Sequence, residues 1–217
     1  VSDIFSEVDE EVRRERLHRL WDRYQFLIIA VAVLIVGGIG GWRGYEYWVA
    51  QKAAVAGAGF ESAVTLSEEG KHAEAQAAFA KVAAEAPKGY ALLARFRAAS
   101  ELAQDKPADA VKAYDALAAD ASLGPVWQDL AGLRAGMLLV DSAPFAELEK
   151  RLKPLSEPGR VYRHSARELL ATSAWRNKDL TAARGYIDTI AADGETPPGT
   201  RQRIDVLSAL IAAAGKG

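Results

Sequence analysis

A run of 19 residues without a charge, from Tyr24 to Trp42, constrains this chain more than any other feature. Its centre reads Phe26-Leu27-Ile28-Ile29-Ala30-Val31-Ala32-Val33-Leu34-Ile35-Val36. A helix of that length spans roughly 28 Å, close to the hydrocarbon thickness of a bilayer. Arg23 and Arg43 close the run. Trp21 and Tyr24 flank one end, and Trp42, Tyr45, Tyr47 and Trp48 the other, where aromatic rings settle at headgroup depth. A buried helix of a soluble protein seldom reaches this length or carries aromatic belts at both ends. The sequence therefore predicts a membrane helix and outer aromatic belt over residues 24–48.

Orientation follows from the basic residues. Arg13, Arg14, Arg16, Arg19 and Arg23 precede the run, whereas only Arg43 and Lys52 occur in the twenty residues after it. The excess places the N-terminus in the cytoplasm, and the acids of the arm do not offset it, because Lys and Arg decide the matter. Ala54-Val55-Ala56 formally matches a signal-peptide cleavage pattern. It lies well beyond the apolar run, and that run is longer than a signal core, so the segment reads as an uncleaved anchor. Gly37 and Gly41, and Gly40 and Gly44, form two GxxxG pairs. Such pairs let a second membrane helix approach closely, although glycine is also simply common in membrane helices.

Residues 1–23 read as an amphipathic cytoplasmic helix. Acids come first and bases follow, which suits the helix dipole. Asp9 with Arg13, Glu10 with Arg14 and Glu15 with Arg19 are i, i+4 pairs in the favourable direction. Phe5, Val8 and Val12 share one face; Leu17, Leu20, Trp21 and Tyr24 share another. The first apolar face suits docking on a partner's cytoplasmic loops; equally, the arm suits lying beside anionic headgroups.

Residues 49–217 show helical periods separated by Gly, Pro, Asn and Asp clusters, with no alternating run that would make a strand. Half the chain is apolar, much of it Ala, which favours close-packed helices. About eight or nine helices are expected. A small residue, a large one four later and an apolar one three later recur as Ala75/Phe79/Val82, Ala110/Tyr114/Leu117, Leu148/Leu152/Leu155 and Ala183/Ile187/Ile190. The large residues are spaced by 35, 38 and 35, near the tetratricopeptide period. The fold class is thus all-α: one transmembrane helix, then a degenerate tetratricopeptide-type repeat domain. A last helix from about Thr200 to Ala214 reads as its cap.

Chemistry is hard to find. The net charge is −2, without the concentrated basic face that nucleic-acid binding needs. There is no cysteine, which removes disulfides, thiolate metal sites and thiol catalysis. His18, His72 and His164 are scattered and lack metal-ligand spacing. No Walker loop, G-x-S-x-G or HExxH occurs. No catalytic residue, metal or cofactor is expected.

The opening Asp3-Ile4-Phe5-Ser6-Glu7-Val8-Asp9-Glu10-Glu11, the single anchor with Gly40-Gly41-Trp42 and the repeat tail resemble the ancillary Sec-translocon subunit family, the YfgM-like proteins. That resemblance implies a bacterial inner-membrane protein with its N-terminus in the cytoplasm and its repeats in the periplasm. Its partners would be the protein-conducting channel, periplasmic chaperones or emerging chains. A related tetratricopeptide group acts in envelope constriction, so accessory roles in another envelope, division or respiratory complex stay open. In such a stack the first helix of each pair lines the concave surface. The usual inward positions fall on Leu92, Arg95, Leu133, Met137, Glu168, Trp175 and Arg176. The set suits a groove for a peptide or helix, unless Leu133 and Met137 belong to the core. On that reading, removing Trp175 and Arg176 together weakens binding while the fold holds.

Overall fold

The computed structural model describes residues 3–214, with the side chains of residues 14 and 21–213. The arm's pairs of Asp9, Glu10 and Glu15 with arginines, its Phe5/Val8/Val12 face, Leu17, Leu20 and His18 lie outside the described side chains. All regular structure among the described residues is helical. The chain divides into two compact units that part between Val55 and Ala56.

The first unit is the greater part of helix α1, Asp3–Glu68. No helix break marks residue 23 or 48, since nothing there stops a helix: the glycines keep ordinary helical geometry, and no proline intervenes. The apolar stretch is long and apolar enough to cross a membrane, and none of it is buried within the chain. Phe26 is 80% exposed and Val36 70%. A core helix would be covered; this one leaves its apolar surface exposed, and intrahelical hydrogen bonds satisfy its backbone, as a membrane-spanning helix requires. On the C-terminal flank of the apolar stretch Lys52 Nζ sits 3.8 Å from the Trp48 ring centroid, and Gln51 Nε2 donates to Tyr47 Oη at 3.1 Å.

The second unit contains the end of α1 and eight further helices: α2 (His72–Glu85), α3 (Lys88–Asp105), α4 (Pro107–Ala118), α5 (Pro125–Leu139), α6 (Phe145–Ser156), α7 (Arg163–Arg176), α8 (Leu180–Ala192) and α9 (Pro198–Ala214). The punctuation is chemical. Gly70 takes φ +75°, and Lys71 N–H reaches back to Leu66 O at 2.9 Å, a left-handed cap that ends α1. Lys178 does the same after α7 at φ 67°, with Asp179 N–H on Ala174 O at 2.9 Å, a conformation glycine adopts more cheaply. Asp179 then caps α8 by accepting from Ala182 N–H at 2.9 Å.

Sequential helices pair as α1–α2, α3–α4, α5–α6 and α7–α8, and the second helix of each pair carries the expected triplet. The buried residues of α2 are Ala75, Phe79 and Val82; of α4, Ala110, Tyr114 and Leu117; of α8, Ala183, Ile187 and Ile190. Leu148, Leu152 and Leu155 are buried on α6 together with Ser156. The core is correspondingly a row of four clusters. Phe79 sits with Ala63 and Ala94, Tyr114 with Ala99, Ala131 and Ala135, Leu152 with Leu133, Ala166 and Leu170, and Ile187 with Ala171, Ile204 and Ile211. Every cluster draws on the first helix of the following pair or on α9. No pair buries its own apolar face, which is the logic of a solenoid.

Polar side chains join equivalent helices one period apart. Ser67 Oγ donates to Glu101 at 2.7 Å, Arg151 donates to Asp115, Tyr186 Oη donates to Glu149 at 3.3 Å, and Arg203 donates to both oxygens of Glu168. α9 takes the place of a fifth first helix. It covers α7 and α8 with Ile204, Leu207 and Ile211, but its outer side leaves Val206 and Leu210 exposed. Its exposed side mixes these with Arg201, Gln202, Asp205 and Ser208, as a capping helix requires.

Candidate functional site: the exposed stripe of the first helices

In a stack of pairs the second helices are committed to packing. The expected groove residues lie on the first helices, α3, α5 and α7. The structure separates the expected groove residues sharply. Met137 projects into solvent, 47% exposed. Leu92 is half-buried, and Leu133 is only 6% exposed, inside the cluster with Leu148, Leu152 and Leu170. Arg95 Nη1 donates to Asp120 at 2.8 Å. Glu168 is held by Arg203. Trp175 packs on the terminal cluster. Arg176 donates from Nε to Val140 O at 3.0 Å and from Nη2 to Ala143 O, satisfying carbonyls at the end of α5. Leu133 is thus core, Arg95 and Glu168 are ion-pair partners, and Trp175 and Arg176 hold the fold.

The exposed stripe on α3 is Leu93, Arg97 and Gln104; on α5 it is Val126, Arg134 and Met137, with Leu130 half-buried between them. A short internal repeat sets this register. Leu93-Ala94-Arg95-Phe96-Arg97-Ala98-Ala99 recurs as Leu130-Ala131-Gly132-Leu133-Arg134-Ala135-Gly136. In both copies the arginine turns outward, with Leu93 exposed and Leu130 half-buried, while Ala94 and Ala99, or Ala131, Ala135 and Gly136, turn inward. This signal lies in the first helices, whereas the spaced triplets that stand out in the sequence lie in the second helices.

Several charged groups of the repeat domain are held by partners within the fold. Ser122 and Arg95 hold Asp120 at a pKa of about 2. Asp193 accepts from Arg163 and Arg167 at 3.0 and 2.8 Å, and its carboxyl lies well below the usual carboxylate range, chiefly through Arg163. His164, 9% exposed, lies 3.2 Å from Thr196 Oγ1, and burial pushes its pKa down. His72 Nδ1 lies 2.8 Å from Glu101, which is 5% exposed. These are clamps within the fold. No group of three His, Asp or Glu suited to a metal occurs among the described residues.

Gly37, Gly40, Gly41 and Gly44 lie in the first unit, and a Cβ at any of them would meet nothing within 4 Å. Their lack of side chains serves no packing within the described chain.

A family model described as a tetratricopeptide repeat-like domain matches residues 18–185. No curated protein and no solved structure matches the chain.

Proposed function

This chain belongs to the tetratricopeptide repeat-like domain family, and from that premise we propose that it is a membrane-anchored scaffold acting at the protein-translocation channel. The fold is of a kind that typically binds proteins and does not catalyse. The observation that carries the reading is the stripe of Leu93, Arg97, Arg134 and Met137, exposed on successive first helices and unused by the core. An exposed Met among apolar and arginine side chains suits an adaptable protein contact. Residues up to 23 lie in the cytoplasm and the repeats in the periplasm, as the basic arm favours. The family resemblance of the opening segment and anchor supports the channel, a periplasmic chaperone or an emerging chain as the partner.

A photo-crosslinking residue at Met137 in the intact cell tests this. Adducts with a channel subunit or a periplasmic chaperone are expected. Adducts absent at Met137 and Leu93 but present at Gly41 would move the contact to the membrane helix. That second reading, an accessory subunit of another envelope complex held by its anchor, is favoured by the open space around Gly37 and Gly41.

A further inference from the structure

The repeated Leu-x-x-x-Arg edge says more about the partner. On α3 it is Leu93 and Arg97; on α5 it is Leu130 and Arg134. Both arginines are exposed, and neither makes an ion pair among the described residues. Several other charged residues of the first helices do have partners: Arg95 with Asp120, Glu101 with His72, Glu168 with Arg203. The two helices that carry these edges pack on each other. The Phe96 ring of α3 lies 5.7 Å from the Trp127 ring of α5, and Ala99 of α3 shares one core cluster with Ala131 and Ala135 of α5. Two guanidinium groups without an ion-pair partner thus lie on exposed faces that also carry Leu93, Val126, Met137 and the half-buried Leu130.

We infer that this stripe docks an acidic amphipathic segment of a partner protein, its carboxylates on Arg97 and Arg134 and its apolar side chains on Leu93, Leu130 and Met137. Guanidinium forks match carboxylates in planar, two-pronged hydrogen bonds, which a lysine would not reproduce. The flanking apolar side chains exclude water and strengthen those bonds. An uncharged or basic segment would leave both arginines without partners under a covering chain, a cost that supplies selectivity. The inference rests on the scaffold reading above and specifies what the stripe selects.

The test uses the full chain in nanodiscs of neutral lipid. Two short synthetic helices share one leucine pattern, and their polar positions are all Glu in one and all Lys in the other. Fluorescence anisotropy compares their binding to the wild type and to the Arg97→Glu/Arg134→Glu variant. The Glu helix is expected to bind the wild type at least about tenfold more tightly, with the margin shrinking as salt rises. The double variant should reverse the order. Both positions are exposed, and an unchanged circular dichroism spectrum shows that the variant is folded. Equal affinities, no binding, or a Glu preference that survives the reversal overturns the inference; crosslinks at Met137 would still uphold the scaffold reading. A wild type that prefers anionic vesicles to neutral ones, with the preference lost in the variant, would assign the arginines to a lipid surface and overturn it as well.

Discussion

Gly136 of α5 lies directly against Leu152 of α6: a Cβ at Gly136 would fall 2.8 Å from Leu152 Cδ2 and 3.1 Å from its Cγ. Leu152 is fully buried and fills the large-residue position of the third pair, so it has no room to retreat. One turn earlier, a Cβ at Gly132 would meet Leu155 Cδ2 at 3.6 Å, an ordinary contact. The two glycines therefore differ in kind. Gly136→Ala should destabilise by about 1–3 kcal/mol through overpacking, less whatever helix propensity returns. Gly132→Ala should stabilise by up to about 1 kcal/mol, since alanine is the better helix former. Thermal melts followed by circular dichroism compare them; equal shifts would mean that the α5–α6 contact is looser than described.

Arg176 gives the second prediction. Its guanidinium satisfies Val140 O and Ala143 O where α5 ends and the chain turns into α6. Arg176→Ala should cost roughly 1.5–3 kcal/mol, the range for a hydrogen bond from a charged donor. Met137→Ala, on an exposed side chain, should change stability little. A binding defect in Arg176→Ala would then report a damaged fold, and one in Met137→Ala a lost contact. An unmoved melt for Arg176→Ala would count against the carbonyl cap.

That contrast explains what the sequence discloses and what it conceals. Second helices bury a narrow stripe, so Ala75/Phe79/Val82 and its counterparts stand out by spacing alone. First helices are covered from several sides. On α5 the buried set Asp129, Ala131, Gly132, Leu133, Ala135 and Gly136 takes up more than half the circumference and includes an Asp, two Ala and two Gly. A wide buried arc of small and polar residues gives little hydrophobic periodicity from which to read a register. Leu133 and Met137 share a face at i, i+4, yet one is core and the other exposed. Arg176 and Trp175 carry the residue types of a binding hot spot, but types alone do not separate a partner's anchor from a cap on the chain's own carbonyls, as Arg176 makes, or a ring packed on its own core, as Trp175 is. The pairing of Arg167 with Asp193 across 26 residues likewise needs the folded geometry.

Acid should unfold the repeat domain in two stages. His164 has a folded pKa below its ordinary 6.5 because burial disfavours the cation. The unfolded chain therefore binds the proton more readily, and this contribution, complete above pH 6.5, is lost as pH falls below it. Asp193 and Asp120 are depressed from 3.8, Asp120 to about 2. Their contributions are complete above about pH 4 to 5 and disappear as pH falls through 3.8 toward 2 and below. Melting temperature against pH should thus bend first near 6.5 and again near 3.8. His164→Gln should flatten only the first bend. A first bend that persists in this variant would place the proton on another group.

Topology has its own check. The basic arm predicts that everything after about residue 50 lies outside the cytoplasm. Alkaline phosphatase fused after Gly217 should be active, and a reporter that works only in the cytoplasm should be silent at the same site. The opposite pair of results would invert the orientation and with it the proposed periplasmic partners.

The anchor glycines offer the sharpest separation between the two proposed modes of attachment. Gly37 and Gly41 have no neighbour within 4 Å of where a Cβ would stand, so leucine at either position disturbs nothing in the described chain. Replacing glycine within a helix removes a penalty of about 1 kcal/mol, so the helix itself should gain. Any loss must therefore come from a second helix that needs the closeness only glycine permits. Gly41→Leu should lower recovery of the partner complex in mild detergent if the anchor makes the contact, and Gly37→Leu should act the same way through the same face. Unchanged recovery with both variants would show that these glycines make no contact and leave the stripe on α3 and α5 as the seat of binding. Loss with the glycine variants and none with Arg97→Glu/Arg134→Glu would place it in the membrane.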